Sequence, residues 1–140
     1  MTHCLLGLGS NLGTPKRQLF LALQSLKRLP KTKLLFAAPP YRNLAWGKKS
    51  VPDYLNTVVL MKTHLAPFVM LKHCQQIEKK QNRVRRVRNQ ARTIDIDMLS
   101  YGRLKLAHPK LRLPHPEMTK RDFVQVPLRH INLKMQCRLG

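Results

Sequence analysis

Hydrophobic residues at the start of the chain follow first the pattern of a strand and then that of a helix. The apolar run from Cys4 to Leu8 is typical of a buried strand, and it ends at the glycine-containing segment 9–13. Beyond this segment, Leu19, Leu23 and Leu26 recur at helical spacing. The sequence therefore predicts a strand, a turn and a helix in that order.

Further apolar segments predict three more strands and a second helix. Residues Leu34 to Tyr41 and Tyr54 to Met61 have the composition of strands and are separated by a loop. Pro67 suits the first position of a helix, which we expect to run to about Gln81. With a strand around residues 94–98, the predicted order is β-α-β-β-α-β, which is the ferredoxin-like α+β pattern with an antiparallel sheet.

The C-terminal part predicts short elements added to this core. A short strand near Leu104 to Leu106 follows a Tyr101-Gly102 turn, which favours a hairpin with the preceding strand. Prolines make Leu113-Pro114-His115-Pro116 a rigid loop, and residues 120–129 are compatible with a helix whose length Pro127 limits. The pattern contains no domain boundary, so we expect a single domain over residues 1–140.

Two of the six acidic residues lie on one predicted strand. Asp95 and Asp97 alternate with Ile94, Ile96 and Met98, so both carboxylates leave the same face, with Cα atoms roughly 6–7 Å apart. Their repulsion is about 2–3 kcal/mol at an effective dielectric constant of about 20, and a bound cation would offset it. Oxygen ligands on a rigid strand favour Mg²⁺, with water and substrate phosphates as the remaining ligands. The alternative is a solvated strand face with ordinary surface ion pairs.

The composition restricts the size of the fold and the kind of partner. The chain has 140 residues, of which 43% are hydrophobic, and this is enough for one core. It has 27 Lys and Arg residues against six acidic residues, a formal net charge of +21. Such a charge indicates an anionic partner, which is a nucleic acid, a polyphosphate or an acidic surface.

The cysteines and the N-terminal segment indicate the cellular compartment in which we expect the protein. Cys4, Cys74 and Cys137 are odd in number, far apart and not at metal-ligand spacing, which favours buried thiols in a reducing cytoplasm. The first residues lack the pattern of a signal peptide, and no stretch approaches 18 consecutive apolar residues. We therefore expect a soluble cytoplasmic protein that does not enter a membrane.

Two other segments invite a functional interpretation. Gly7, Gly9 and Gly13 are spaced G-x-G-x-x-x-G, which differs from the dinucleotide-binding fingerprint and excludes that reading. Residues 79–90 are strongly basic without an apolar period, so we expect a mobile loop that closes over the acidic strand as a lid. The alternative is an ordinary solvated basic segment.

Several separated segments together resemble the 6-hydroxymethyl-7,8-dihydropterin pyrophosphokinase family, over roughly residues 5–131. Each segment alone is weakly specific, and their order and spacing make the resemblance specific. The segments are Leu8-Gly9-Ser10-Asn11-Leu12, Tyr41-Arg42, Pro52-Asp53-Tyr54-Leu55-Asn56, Gln75 with Glu78, Arg92-Thr93-Ile94-Asp95-Ile96-Asp97, Leu113-Pro114-His115-Pro116-Glu117-Met118, and Arg121, Phe123, Pro127 and Leu128.

The resemblance implies an enzyme of folate biosynthesis that moves pyrophosphate from ATP to a pterin alcohol and releases AMP. It implies that Asp95 and Asp97 hold two Mg²⁺ ions that bridge the ATP phosphates. Arg92 and Arg83 would complete the catalytic set by binding phosphate oxygens through their forked donors.

The resemblance also implies where each substrate binds. Around ATP it implies Gln75, Glu78, Arg85, Arg92, His115 and Arg121. Around the pterin it implies Asn43, Leu44, Trp46, Tyr54, Asn56 and Phe123. Phe123 and Tyr54 are the rings best suited to stack on the pterin, and the Asn56 amide can both donate to and accept from its edge. We expect a monomer that binds nucleic acid weakly and without sequence preference.

A second class of function remains open on the residues alone. A small basic RNA-binding protein or a metal-dependent nuclease on the same scaffold would also use the net charge of +21. RNA-binding modules of this kind stack bases on sheet aromatics, whereas this chain has four Phe, three Tyr and one Trp, and carries Asp95 and Asp97 on the relevant strand.

Overall fold

A computed structural model gives the fold of the chain. It describes residues 1–11, 14–43, 54–82 and 94–116, and the single residues 118, 125, 128, 129 and 131. The elements are β1 (Thr2–Ser10), α1 (Pro15–Lys27), β2 (Thr32–Ala37), β3 (Tyr41–Asn43), β4 (Tyr54–Thr63), α2 (Pro67–Asn82), β5 (Asp95–Tyr101), β6 (Leu106–His108) and β7 (Leu111–Leu113).

The main sheet has the strand order β2-β4-β1-β5, and β3 also pairs with β4. Every pairing in it is antiparallel. With α1 after β1 and α2 after β4, this arrangement is the ferredoxin-like α+β fold, as the sequence predicted. In this order β1 is a central strand and β5 is an edge strand, and the positions of both determine the site.

The helices bury one apolar stripe each. In α1, Leu19, Ala22 and Leu26 are buried at three- and four-residue spacing, and Pro15 occupies the first turn, where its missing N–H costs nothing. In α2, Met70 and Cys74 are buried in the same way. In the part of the chain that the structure describes, neither helix is long and apolar enough to cross a membrane.

Apolar residues cover both faces of the central strands. Because successive side chains of a strand alternate between faces, Val59 and Met61 of β4 join the larger core together with the helices, whereas Val58 and Leu60 join a second cluster with Leu99. A strand that is buried on both faces has a continuous run of apolar residues in its sequence, and this run allowed β4 to be predicted.

One predicted strand is divided in the structure. The predicted strand from Leu34 to Tyr41 is two strands, β2 and β3, and Pro39 and Pro40 lie between them. Proline has no N–H to donate to a neighbouring strand, so pairing is interrupted there.

The predicted hairpin between β5 and the next strand is wrong. That strand is β6, at Leu106–His108, and it pairs with β7 instead. Gly102 has φ 54° and its N–H donates to the His3 carbonyl at 2.7 Å, so the turn bonds back to β1. β7 then places Leu111 and Leu113 in the core, which anchors the β6–β7 hairpin separately.

The two remaining predicted segments lie largely outside the described residues. In the predicted helix 120–129, the structure describes Gln125, Leu128 and Arg129, and all three have helical backbone. The predicted basic lid, residues 79–90, was expected to be a loop, but residues 79–82 are the last turn of α2. Its remaining residues, 83–90, are outside the described part of the chain.

Candidate active site

The two carboxylates of β5 are half-buried at alternate positions. Asp95 and Asp97 flank buried Ile96, and Ile94 and Met98 are also buried. In the pairing with β1, Asp95 lies opposite Gly9 and Asp97 lies opposite Gly7. The strand therefore presents both carboxylates on one face of the sheet, as the alternation of the sequence predicted.

Glu78 of α2 is a third carboxylate at this strand. Its Oε2 accepts a hydrogen bond from the N–H of Ile96 at 3.1 Å. Among the described strands β5 is at the edge of the sheet, so no described strand lies on the outer side of the Ile96 amide, and the Glu78 carboxylate supplies the acceptor. This bond holds Glu78 next to the backbone between Asp95 and Asp97.

The electrostatics of Glu78 reflect its crowded position. Burial raises the pKa of Glu78 to about 7, against the opposing effect of the hydrogen bond from Ile96. A hydrogen bond with Asp95 and the charges of Asp95 and Asp97 raise the pKa further. Negative charge is therefore concentrated at one end of β5, in a chain whose net charge is +21.

This donor set fits a magnesium ion. Asp95 and Asp97 offer hard oxygen donors, and the charge that raises the pKa of Glu78 is what a divalent cation neutralises. Within the described residues, no group of three or more His, Cys, Asp and Glu side chains is arranged to enclose a metal ion. Two carboxylates completed by water and phosphate oxygens are the usual ligand set of Mg²⁺ with a nucleotide.

On the other side of β1, Asn56 and Tyr54 of β4 form a second part of the site. Asn56 pairs with Gly9, which in turn pairs with Asp95, so one row across three strands joins the amide to the carboxylate. The Asn56 side chain is 7% exposed, and its Oδ1 has no hydrogen-bond partner among the residues that the structure describes. A buried acceptor without a partner costs free energy unless a ligand donates to it.

The short strand β3 lies beside these residues. Asn43 pairs with Tyr54, and Tyr41 pairs with Asn56. Three of the predicted pterin-binding residues, Asn43, Tyr54 and Asn56, are therefore neighbours on β3 and β4. The sequence alone did not reveal that Gly9 lies beneath Asn56, although its period-2 spacing from Gly7 is a signal that both share one strand face.

Two predicted nucleotide-binding residues, Gln75 and His115, belong to segments that contact β5. Gln75 is exposed on α2, one turn before Glu78. His115 is half-buried after Pro114, and its backbone N–H donates to the Leu99 carbonyl at 2.8 Å, which fixes the loop against β5. Asn11, which follows β1, also has a buried Oδ1 without a hydrogen-bond partner in the described part of the chain.

The remaining predicted site residues lie outside the described part of the chain. They are Leu44, Trp46, Arg83, Arg85, Arg92, Arg121 and Phe123.

Comparisons with known proteins agree in the family that they indicate. The model of the 7,8-dihydro-6-hydroxymethylpterin-pyrophosphokinase family matches residues 5–133. A 2-amino-4-hydroxy-6-hydroxymethyldihydropteridine pyrophosphokinase of Haemophilus influenzae is 40% identical over 131 residues, which are 94% of this chain and 82% of that protein. One of the same name from Pseudomonas aeruginosa is 41% identical over 121 residues, or 86% of this chain and 75% of that protein. The folic acid synthesis protein of Schizosaccharomyces pombe is 31% identical over 123 residues, which are 88% of this chain and 17% of that protein.

Proposed function

Because the chain belongs to the 7,8-dihydro-6-hydroxymethylpterin-pyrophosphokinase family, it is an ATP-dependent enzyme of folate synthesis, and we propose which of its residues serve the reaction. It transfers pyrophosphate from ATP to 6-hydroxymethyl-7,8-dihydropterin. The pterin hydroxyl oxygen bonds to the β-phosphorus of ATP, and the bond from that phosphorus to the oxygen of the α-phosphate breaks. AMP leaves with that oxygen, and the hydroxyl proton is released.

Asp95 and Asp97 are the proposed ligands of two Mg²⁺ ions. Bound magnesium neutralises phosphate charge and aligns the reacting oxygens in transfers of this kind. The observation that carries this assignment is the convergence of both carboxylates and Glu78 at one end of an edge strand. The rigid strand fixes the carboxylates before the substrates bind, so little reorganisation is needed during the reaction.

The nucleotide is proposed to bind along α2 and the loop after β7. Gln75 and Glu78 lie one turn apart on α2, and His115 follows β7 in a loop whose backbone hydrogen-bonds to Leu99 of β5. Arg83, Arg85, Arg92 and Arg121, which lie outside the described residues, are proposed to bind the phosphates, because a guanidinium can bind two phosphate oxygens at once. Closure of the basic segment over ATP would exclude water and so prevent hydrolysis.

The pterin is proposed to bind over β3 and β4. The Oδ1 of Asn56, to which no described residue donates, suits an N–H of the pterin edge, and Tyr54 supplies a neighbouring ring. Asn43, whose backbone pairs with Tyr54, is a further proposed pterin contact. Leu44, Trp46 and Phe123, outside the described residues, are the other proposed pterin contacts.

The decisive experiment compares the native chain with Asp95→Asn and Asp97→Asn. Each change keeps the shape of the side chain and removes one negative charge, so we expect AMP formation from ATP, Mg²⁺ and the pterin to fall at least about a hundredfold. Both variants should also bind Mn²⁺, used in place of Mg²⁺, more weakly. Electron paramagnetic resonance measures this binding with a non-hydrolysable ATP analogue present.

Ser100→Ala is the matched control, because Ser100 is half-buried on the same strand beyond the carboxylates. It should leave AMP formation and Mn²⁺ binding near the native values. Folded Asp95→Asn and Asp97→Asn variants that retain native activity and Mn²⁺ binding would refute the assignment of these residues as metal ligands.

The family membership supports the pyrophosphokinase and gives no support to the RNA-binding or nuclease alternatives. We also propose that the protein is a cytoplasmic monomer. Cys4 and Cys74 are buried free thiols, which is the state expected in a reducing compartment. Sedimentation of the purified chain would test the oligomeric state.

A further inference from the structure

We infer that Gly9 is a positioning residue for pterin binding, because the absence of a side chain there allows Asn56 to hold its amide over β1. The inference rests on the proposed role of Asn56 in binding the pterin. It concerns a residue of the central strand that itself has no side chain to contact a substrate.

Gly9 lies between the two halves of the site. On β1 it pairs with Asn56 on one side and with Asp95 on the other. Any side chain at this position would lie on the strand that separates the amide from the carboxylate. Gly9 therefore determines the separation between Asn56, the proposed pterin contact, and Asp95, the proposed metal ligand.

The space above Gly9 is already occupied by the pterin-binding side chains. A Cβ atom at Gly9 would lie 2.6 Å from Nδ2 of Asn56, and 3.4 Å from Cε1 of Tyr54. Cβ atoms in proteins essentially never lie within 3.0 Å of such a neighbouring atom, so the amide would have to move. The amide is the end of a short side chain, so it can move at little cost to folding, but it then loses its place against the pterin.

The backbone itself does not require glycine at this position. Among the glycines that the structure describes, Gly102 has a positive φ, of 54°, and Gly9 does not. An L-residue can therefore adopt the conformation of Gly9, and the steric demand comes from Asn56 alone. The buried Oδ1 of Asn56 has no hydrogen-bond partner among the described residues, so it offers an acceptor that a ligand can complete.

Gly7 provides a matched control on the same strand. A Cβ atom at Gly7 would lie 3.4 Å from the Leu99 side chain, which is an ordinary van der Waals contact. Gly7→Ala thus adds the same methyl group two residues away without displacing a polar side chain. Any general effect of alanine on β1 should appear in both variants.

The test measures the dissociation constant of 6-hydroxymethyl-7,8-dihydropterin with Mg²⁺ and a non-hydrolysable ATP analogue present. We expect Gly9→Ala to raise this constant about tenfold, the loss of one or two hydrogen bonds. The dissociation constant of the ATP analogue without pterin should change less than about twofold in Gly9→Ala, and Gly7→Ala should be native-like for both ligands. A Gly9→Ala variant that folds and binds the pterin with native affinity would overturn the inference, as would an equal loss in Gly7→Ala.

A double-mutant cycle then separates this inference from the proposed function. In an Asn56→Ala background the colliding atom is absent, so Gly9→Ala should weaken pterin binding no further. If Asn56→Ala itself leaves pterin affinity unchanged, the proposed role of Asn56 fails, and the inference about Gly9 fails with it. If Asn56→Ala weakens binding and Gly9→Ala weakens it further in that background, the inference about Gly9 fails alone.

The cycle also covers a Gly9→Ala variant that does not fold. A Gly9→Ala/Asn56→Ala double variant that folds, with the pterin affinity of Asn56→Ala, would establish the contact with Asn56 as the cause. A double variant that remains unfolded would refute it.

Discussion

Burial controls the chemistry of Cys4 and Cys74. Cys4 lies on β1 and Cys74 on α2, and both belong to the larger core. Burial raises the pKa of each thiol to about 12, and for Cys74 the neighbouring Cys4 and Glu78 add to the effect. Because the thiolate is the reactive form, both cysteines should be inert in the folded protein.

This gives a prediction about pH and alkylation. In a Cys137→Ser background, iodoacetamide should modify neither Cys4 nor Cys74 of the native protein appreciably between pH 7 and pH 9. The same chain in denaturant should react faster as the pH approaches about 9, the ordinary pKa of a cysteine thiol. Mass spectrometry of timed samples measures both rates. Equal rates for native and denatured chains would show that the core opens readily.

At the same scale, the sequence alone singled out the residues proposed to carry the chemistry, but it did not reveal all of their surroundings. Asp95 and Asp97 stood out because acidic residues are rare in this chain and because they alternate with apolar ones. The steric role of Gly9 was not apparent, since it depends on Asn56, a residue 47 positions later that only the register places opposite it.

Among the elements, β5 depends on a side chain from α2 to complete its backbone hydrogen bonds. The Ile96 N–H points away from β1 and donates to Glu78 Oε2. A buried N–H left without an acceptor costs about 1–3 kcal/mol. Glu78 therefore has a structural function in addition to its proposed contact with ATP.

Substitutions of Glu78 should separate these contributions. Glu78→Ala removes the acceptor and should lower the free energy of unfolding by about 1–3 kcal/mol. Glu78→Gln keeps an acceptor oxygen. Its effect should also depend on pH, because the pKa of Glu78 is raised to about 7, and the stability linked to its protonated form is lost as the pH rises through that value.

The measurement is urea denaturation of metal-free protein at pH 5 and pH 8. At pH 8 Glu78→Gln should be at least as stable as the native chain, since it removes a charge beside Asp95. Gln76→Ala, at an exposed position on the same helix, is the control and should change stability little. A Glu78→Gln variant as unstable as Glu78→Ala at pH 8 would contradict this account.

Whether an element could be predicted depended on how local its determinants are. The strand β4 and both helices follow from apolar periods within their own sequences. The β6–β7 pairing was missed because the Gly102 turn bonds to His3, a residue far away in sequence, and directs the chain away from β5. The separation of β2 from β3 was missed although the signal, Pro39-Pro40, is local.

Across the whole molecule, the acidic residues of the described part are confined to the candidate site. Glu78, Asp95 and Asp97 are the acidic residues that the structure describes, and Asp53, Glu117 and Asp122 lie outside it. The rest of the described surface is charged by Lys and Arg alone. The candidate site is thus a small negative region on a strongly basic molecule. Such a region favours a cation locally, while the surrounding positive field favours the phosphates of ATP.

The same field predicts weak binding to nucleic acids outside the site. Single-stranded RNA should bind without sequence preference at low salt, and its affinity should fall steeply between about 50 and 200 mM salt as counterions compete for the phosphates. Fluorescence anisotropy of labelled RNAs of different sequence measures this.

Lys16→Gln/Arg17→Gln, on the exposed start of α1, should weaken binding and lower the slope of log K against log salt by about 1–2. Asp95→Asn should not weaken RNA binding, since the phosphates contact cations distant from the site. Binding that prefers one sequence, or that persists unchanged at high salt, would instead indicate a dedicated nucleic-acid site.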